Sequence, residues 1–296
     1  MLGVVNLDKP VGPTSHDMVG LLRRLTGTRR IGHAGTLDPL ASGVLPILVG
    51  AATRLSEELT GGRKRYDAVI RLGARSATDD AEGPITPSEA PLPPPEDVEA
   101  ALRAFVGTFE QRPPAFSARK QGGQTAHRAA RGGEPLDLPP RTVTVDALDV
   151  AGIEVGEGSL DVRIDLRCGP GTYVRSIARD LGDRLGCGGY LLALRRTEAA
   201  GLRIGDAITP ERLEALAAEG RLEEALIDPG AVLPLPRVTL ATDDAWRFVH
   251  GSTVTLAEPM PPGRVAVVDG RSLLGIGAVA GAILQPEKVL PAEGGG

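Results

Sequence analysis

The chain has 296 residues, of which 42% are hydrophobic and 24% are charged, and its formal net charge is −5. This length and composition are typical of a globular protein with a sizeable core, and they favour two domains over one. No apolar run approaches the roughly 20 residues that span a bilayer, and the N-terminus lacks a signal-peptide pattern, which argues against a membrane or secreted protein.

The first part of the chain predicts helices and strands on both sides of a glycine-rich loop. A helix with Ser15 as its cap comes first, and the loop after it leads into a buried strand at residues 43–50. An alternating strand is predicted at residues 66–74, and a proline-rich, acidic surface loop extends to about residue 95. An amphipathic helix is predicted at residues 96–109.

The next part begins with a stretch that is poor in hydrophobic periodicity. Residues 111–140 are basic and rich in Gly and Pro, and they predict a long mobile loop of the kind that is usually functional in compact enzymes. Residues 159–168 predict a strand with one wet face, and a helix is expected to begin at about Thr172. A last helix is predicted at residues 209–220, with Thr209 as its cap.

The pattern changes near residue 230. Short alternating runs, punctuated by Gly and Pro, predict a small all-β unit in residues 234–291.

Positive charge is concentrated in two stretches, although the net charge is negative. Residues 1–75 hold 11 Lys and Arg against 6 Asp and Glu, and residues 111–133 hold five cations and no acid. Residues 76–110 hold eight acids and a single cation. A basic face for a nucleic-acid partner and an ordinary solvated surface both fit this pattern.

Cysteine and histidine usage argues against a metal site. Cys168 and Cys187 have no set of His or Cys ligands around them, and the four histidines are scattered along the chain. We therefore expect reduced thiols, a cytoplasmic location and no bound metal. On these grounds alone, His33 is interpreted as a residue that packs a loop.

The glycine-rich loop at residues 32–43 holds a carboxylate, Asp38, directly before Pro39. An Asp before Pro is common in turns, whereas a reactive carboxylate acts as a general base, a nucleophile or a metal ligand. No second acid or His at ligand spacing supports the metal ligand. Pro39 and the apolar run after it would give the side chain a fixed direction, which suits a reactive group.

Tyr66 opens a predicted strand directly after three consecutive cations, Arg63, Lys64 and Arg65. One interpretation is a strand residue beside a solvated basic patch. The other is a ring on which a nucleobase stacks while the cations contact phosphates. The residues themselves favour neither.

Arg175 lies in the first turn of the helix predicted after Thr172, where the helix dipole disfavours a cation. An anionic partner would offset this penalty, and Asp38 is one candidate. Burial under a substrate would raise the pKa of Asp38, and a bidentate guanidinium would oppose that rise. Tyr173, close to Arg175 in sequence, is interpreted as either a core residue or a site residue.

Six motifs resemble those of TruB-type tRNA pseudouridine synthases, in that family's order and over most of the chain. The block G-H-x-G-x-L-D-P, which contains Asp38, is highly specific to that family. The motifs are NLDKPVGPTSHD (6–17), GHAGTLDPLASGVLPILVG (32–50), KRYDAVIRLG (64–73), RPPAFSARKQGG (112–123), CGPGTYVRSIARDLG (168–182) and GIGAVAGAILQPEKVL (275–290).

This resemblance implies an α+β fold. Residues 1–230 would form a pseudouridine synthase catalytic domain with a mixed, mainly antiparallel sheet flanked by helices. Residues 231–296 would form a small, β-rich, PUA-like RNA-binding domain. The segment 111–140 resembles a mobile loop that closes over bound RNA, so RNA contacts are expected from Arg112, Arg119 and Lys120.

The resemblance also implies roles for individual residues. Asp38 corresponds to the essential aspartate that attacks the target uridine, and Arg175 to its ion-pair partner. Tyr66 corresponds to the tyrosine that stacks on the extruded base and is a candidate to take the proton from C5. His33 corresponds to the residue that fills the gap left by the base, which replaces the packing interpretation. Further RNA contacts are expected from Lys64, Arg65 and Tyr173.

The implied function is the conversion of uridine 55 in the T loop of tRNA to pseudouridine by base flipping, aspartate attack, uracil rotation and C1′–C5 bond formation. Nothing is oxidised, so no cofactor is expected. The expected partner is the T stem-loop of tRNA, bound by a monomer that needs neither a membrane nor another protein. The alternatives are a non-catalytic RNA-binding or tRNA-folding module and a guide-RNA-dependent synthase of the dyskerin type.

Overall fold

The structure is a computed structural model that describes residues 1–117, 120–121, 124–132, 134, 136–270 and 272–290. These residues form two compact units. The first unit contains Met1–Asp38, Gly43–Gly62 and the chain from Ala199 onward, and the second contains Pro39–Ser42 and Arg63–Glu198. In the described part of the chain, no helix has both the length and the apolar character needed to cross a membrane.

Strands and short helices alternate along the chain. The strands are β1 (Gly3–Lys9), β2 (Ile31–His33), β3 (Ala41–Val49), β4 (Lys64–Leu72), β5 (Ala74–Ser76), β6 (Ile85–Pro87), β7 (Gly107–Gln111), β8 (Lys120–Gln121), β9 (Gln124–Thr125), β10 (Arg141–Gly156), β11 (Ser159–Cys168), β12 (Gly189–Ala199), β13 (Leu202–Arg203), β14 (Arg237–Thr239), β15 (Val254–Val268) and β16 (Leu273–Val289). The α-helices are α1 (Ser15–Thr26), α2 (Ser56–Thr60), α3 (Pro95–Arg103), α4 (Ala126–Arg131), α5 (Val174–Arg184), α6 (Pro210–Ala218), α7 (Pro229–Val232) and α8 (Thr242–Val249).

The second unit is built on a mainly antiparallel sheet with the strand order β12–β4–β11–β10–β7. In the β4–β11 pair, Leu72 lies opposite Leu160 at one end and Lys64 lies opposite Cys168 at the other. Alternate residues of both strands are buried, as the period of two in the sequence predicts. Side chains of α3 and α5 pack on this apolar face and complete the core.

The first unit pairs β3 with both β1 and β2 in antiparallel register. Nearly all of β3 is buried, as its continuous apolar run predicts. Near the C-terminus, β14, β15 and β16 form a separate sheet, and α8 packs against it through the buried ring of Phe248. The predicted α+β class, with a mainly antiparallel sheet and a β-rich C-terminal part, is confirmed.

Charged side chains connect α2 to the C-terminal strands within the first unit. The Glu58 carboxylate accepts a hydrogen bond from Arg264 at 2.8 Å and lies 3.0 Å from Nζ of Lys288. Burial raises the pKa of Glu58, but the hydrogen bonds from Arg264 and Lys288 outweigh it and leave that pKa below its ordinary value. Glu58 is therefore held as an anion between two cations.

The cap of the first helix differs from the prediction. Thr14, not Ser15, is the N-cap of α1: its Oγ1 accepts a hydrogen bond from the Asp17 N–H at 3.1 Å. The Asp17 carboxylate in turn accepts from the Thr14 N–H at 2.8 Å. This reciprocal pair needs an acid three residues after the cap, and Asp17 has that spacing from Thr14 only.

The helix predicted at residues 96–109 is shorter in the structure. Helix α3 ends at Arg103, and Gly107 adopts φ +112°, a conformation that only glycine takes readily. The chain then continues into β7, so the second half of the predicted helix is wrong.

Two further predictions are corrected by local elements. Residues 111–140, predicted as a loop, include the short strands β8 and β9 and the helix α4. The acidic stretch before residue 95 includes the β5–β6 hairpin. The helix at residues 209–220 is confirmed as α6 with Thr209 as its cap, but it is not the last, because α7 and α8 follow.

Candidate active site

The loop between β2 and β3 presents Asp38 directly after a residue that is fastened to α1. The Ser15 hydroxyl accepts a hydrogen bond from the Leu37 N–H at 2.8 Å and donates to the Leu37 carbonyl at 2.9 Å. Gly35 adopts φ +103°, which lets the loop turn at this point without strain. Asp38 is half-buried, as is His33 at the end of β2. Asp38 therefore lies on a fixed loop and is partly accessible to solvent.

The guanidinium of Arg175 lies in a buried, polar environment in the second unit. Its Nη2 donates to the Phe116 carbonyl at 2.9 Å, and its Nη1 donates to the Thr78 carbonyl at 3.2 Å. Nη1 also lies 3.5 Å from Oδ2 of Asp80, and the two side chains are only 6% and 4% exposed. Because both charges are withdrawn from water, their attraction is stronger than that of a surface ion pair.

Asp80, which the sequence analysis did not single out, is a buried partner of Arg175. The family resemblance implies Asp38 as the ion-pair partner of Arg175, but these two residues belong to different units, and their pairing stays a prediction. The sequence does show two adjacent acids, Asp79 and Asp80, that could pair with a cation. They are interpreted from sequence as part of a proline-rich, acidic surface loop.

The backbone around Asp80 is held in an unusual conformation. Asp79 adopts φ +63°, which is uncommon for a residue other than glycine and marks local strain. Its carboxylate accepts a hydrogen bond from Arg179 at 2.9 Å, and burial raises the pKa of Asp79 although Arg179 opposes the rise. The Thr78 hydroxyl donates to Asp80. These contacts fix the chain where Asp80 faces Arg175.

Tyr66 is a strand residue with a buried ring. It lies on β4 opposite Leu166 of β11, packs in the apolar core of the second unit and is 7% exposed. The predicted strand position is therefore confirmed, and the packing gives the ring a fixed orientation. Stacking on a nucleobase stays a prediction.

Two of the three cations before Tyr66 form ion pairs. Arg63 pairs with Asp146, and Arg65 forms a bidentate pair with Asp165, with Nε 2.8 Å from Oδ1. A phosphate at Arg65 would have to share the guanidinium with Asp165 or displace it.

Lys64 has a perturbed amine. Burial, reinforced by the nearby charge of Arg196, lowers its pKa to about 8. Its cross-strand neighbour Cys168 has a thiol pKa that burial raises to about 11, so this thiol stays protonated at neutral pH. A phosphate close to Lys64 would favour the charged ammonium and raise the pKa again.

The other predicted RNA contacts lie at the start of α5 and in the segment after β7. Tyr173 is the N-cap of α5 and is half-buried. Arg112 is exposed and forms an ion pair with Asp137. Arg119 lies outside the described residues, and only the backbone of Lys120, in β8, is described.

The predicted site residues are thus divided between the units. His33 and Asp38 lie in the first unit, whereas Tyr66, Tyr173 and Arg175 lie in the second. Within the described ranges, no group of three His, Cys, Asp or Glu side chains is arranged to hold a metal ion. The groups present are a carboxylate, a guanidinium and phenol rings, which suit nucleophilic and acid–base chemistry.

Residues 23–174 match the family model described as TruB family pseudouridylate synthase (N terminal domain). The chain belongs to the TruB family. A second TruB-family model, described as the tRNA pseudouridylate synthase B C-terminal domain, matches residues 175–238. The resemblance carried by the motifs is therefore confirmed.

Curated TruB relatives match nearly the whole chain. The tRNA pseudouridine synthase B of Ralstonia nicotianae is 40% identical over 97% of this chain and 94% of its own length. That of Acaryochloris marina is 42% identical over 99% of this chain and 100% of its own length. A chain in a solved H/ACA ribonucleoprotein bound to a substrate RNA containing 2′-deoxyuridine is 25% identical, with a TM-score of 0.74, over 99% of this chain and 86% of that chain.

Proposed function

We propose that this TruB-family protein isomerises uridine 55 in the T loop of tRNA to pseudouridine. The observation that carries the proposal is the identity of 40–42%, over 97–99% of the chain, with relatives named tRNA pseudouridine synthase B. The geometry supports it with a half-buried carboxylate at Asp38, a buried guanidinium at Arg175 and a fixed ring at Tyr66.

The reaction begins with extrusion of the target base from the folded T loop, which costs roughly a few kcal/mol of stacking. Tyr66 stacks on the extruded uracil. His33 fills the gap that the base leaves in the loop. Both contacts offset the cost of extrusion.

The chemical step begins when the ionised Asp38 carboxylate attacks the nucleotide. The attack forms a bond between the carboxylate and the nucleotide, and the bond between N1 and C1′ breaks. The uracil turns within the site, and a bond forms between C5 and C1′. The bond to Asp38 breaks again before the product leaves, which regenerates the carboxylate. The proton on C5 passes to a base, for which Tyr66 is the candidate, and N1 gains a proton. The product is an isomer of the substrate, so every atom is retained and no electron is transferred.

Arg175 keeps Asp38 ionised in this mechanism. A carboxylate that is covered by a substrate favours its neutral form, and a guanidinium close to it opposes that shift. Asp80 and the two carbonyls that Arg175 contacts fix the plane of the guanidinium. Arg175 then presents a preorganised positive charge to Asp38.

The test incubates the purified protein with a T stem-loop transcript and maps pseudouridine by sequence. We expect conversion of uridine 55 alone, in the presence of a chelator and without a guide RNA, nucleotide or second protein. A transcript with cytidine at that position is the matched control. No conversion in either the stem-loop or the whole tRNA would contradict the proposal.

A guide-RNA-dependent synthase is the second candidate, because the solved H/ACA ribonucleoprotein shares the fold with a TM-score of 0.74. The higher identity to the relatives named tRNA pseudouridine synthase B favours direct action on tRNA. Conversion by the protein alone excludes the need for a guide. A non-catalytic RNA-binding module would bind the transcript and leave its uridine unchanged.

The proposal also covers the oligomeric state and the RNA contacts outside the active site. We expect a cytoplasmic protein. We also expect a monomer that binds one tRNA without another protein, and light scattering of the protein with and without tRNA tests this stoichiometry. Residues 231–296 serve as a PUA-like RNA-binding domain. The segment 111–140 closes over the RNA with Arg112, Arg119 and Lys120 against phosphates.

A further inference from the structure

The start of α5 is fastened by a side chain from a distant strand. Tyr173, the N-cap of α5, makes no capping hydrogen bond with its own side chain. Instead, Oε1 of Gln111, the last residue of β7, accepts a hydrogen bond from the Tyr173 N–H at 2.9 Å. Nε2 of the same amide donates to the Tyr173 carbonyl at 3.1 Å.

This pair of hydrogen bonds determines the orientation of the Gln111 amide. Gln111 is 2% exposed, so an unsatisfied amide atom there would be costly. The amide offers an acceptor and a donor in a single plane, and turning it over would place donor against donor and acceptor against acceptor. The two peptide groups that flank Tyr173 are therefore both fixed by one side chain.

Arg112, the residue after Gln111, also contacts α5. The Arg112 carbonyl accepts hydrogen bonds from the Ser176 hydroxyl and from Nη2 of Arg179, both at 2.9 Å. Four residues further along, the Phe116 carbonyl accepts from Arg175. The segment from Gln111 to Phe116 thus contacts the first two turns of α5 at successive points.

We propose that Gln111 is a positioning residue of the reaction, because it sets the backbone from which the Tyr173 ring and the Arg175 guanidinium project. The inference rests on the proposed function, in which Arg175 acts on Asp38, and on the expectation that Tyr173 contacts the RNA. A displacement of about 1 Å at such groups is enough to lower a catalytic rate by about 100-fold. Gln111 acts through its neighbours and touches no substrate.

The test replaces the amide with an isosteric acid, Gln111→Glu. The neutral carboxyl can still accept from the Tyr173 N–H and donate to its carbonyl, whereas the carboxylate has no donor and repels the carbonyl. We expect a single-turnover rate near that of the wild type at low pH, falling at least tenfold relative to the wild type as the buried carboxyl ionises between about pH 5 and pH 9.

A second variant and a control complete the experiment. Gln111→Leu has neither group and should be at least tenfold slower at every pH, with tRNA affinity within about threefold of wild type. The exposed neighbour Glu110→Gln should keep the wild-type rate throughout. The inference would be overturned by a wild-type rate in Gln111→Leu or by a loss of rate in Gln111→Glu that does not depend on pH. It would also be overturned if the loss of rate in each variant matched the fraction of unfolded protein at each pH.

Two variants measured in parallel separate this inference from the proposed function. If Asp38→Asn and Arg175→Lys lose activity while both Gln111 variants keep the wild-type rate, only the positioning role is wrong. If Asp38→Asn and Arg175→Lys remain active, the proposed site itself is wrong.

Discussion

Arg175 carries a positive charge in a place that water scarcely reaches, and Asp80 carries a negative charge beside it. The guanidinium also donates to two backbone carbonyls, which hold its plane. Removing one partner of a buried ion pair leaves an uncompensated charge and is strongly destabilising. At the scale of single residues, Asp80 therefore compensates the buried charge of Arg175.

We predict that Asp80→Asn lowers the single-turnover rate at least tenfold and the free energy of unfolding by about 3 kcal/mol, because a neutral amide does not compensate the buried guanidinium. Stopped-time conversion assays and urea denaturation measure the two effects. Asp183→Asn is the control, since its ion pair with Arg75 is exposed and should contribute little. A wild-type rate in Asp80→Asn would show that this charge does not matter to the reaction.

Lys64 makes tRNA binding depend on pH if it contacts a phosphate. Its pKa of about 8 in the free protein would rise in the complex, so a proton is taken up on binding above that pH. We expect the wild-type affinity for tRNA to be about tenfold weaker near pH 9.5 than near pH 7.5, and that of Lys64→Arg to change much less over the same range. Equal pH dependence in the two proteins would place Lys64 away from the RNA phosphates.

At the scale of elements, two adjacent hydroxyls at the start of α1 have different structural roles. Thr14 caps the helix together with Asp17, whereas Ser15 fastens Leu37, the residue before Asp38. The chain thereby ties the candidate catalytic loop to a regular element of the same unit.

This division predicts different effects for two similar substitutions. Thr14→Ala should cost about 1 kcal/mol of stability and leave the rate unchanged, because only the helix cap is lost. Ser15→Ala should cost a similar amount and also lower the single-turnover rate about tenfold, because the Leu37 backbone loses both hydrogen bonds. Denaturation curves and rates measured on the two variants side by side test this. Equal rates would show that Ser15 does not position Asp38.

The ion pairs of Glu58 predict how acid affects the attachment of α2 to the C-terminal strands. The lowered pKa of Glu58 means that its stabilisation is complete above the ordinary value of 4.5 and is lost as the pH falls through the lower, folded-state value. Glu58→Gln should therefore cost about 2 kcal/mol at pH 7 and progressively less below about pH 4. Glu57→Gln, at an exposed site, should cost less than about 0.5 kcal/mol. A pH-independent difference between wild type and Glu58→Gln would contradict the ionic account.

At the scale of the whole molecule, local patterns in the sequence predict the elements better than the contacts between them. The alternation in β4 and β11 and the cap of α6 are visible within about ten residues, and the structure confirms them. The contacts of Asp80 with Arg175 and of Gln111 with Tyr173 join residues far apart in the sequence, and no local pattern indicates them. Asp17, three residues after Thr14, was a local signal for the true cap. The motif around Asp38 predicted the family without showing what holds Arg175.

The proposed reaction depends on one carboxylate, that of Asp38. Asp38 belongs to the first unit, and Arg175, which the proposal assigns to it, belongs to the second. All other residues in the proposal bind RNA, extrude the base or keep these two groups in place.

The most direct test compares the wild type with Asp38→Asn on the same tRNA, with single-turnover release of the C5 proton and pseudouridine content as readouts. We predict no detectable conversion by the variant, with tRNA affinity within about tenfold of wild type, because the amide keeps the shape of the side chain but is not a nucleophile. Conversion by Asp38→Asn at the wild-type rate would contradict the central claim.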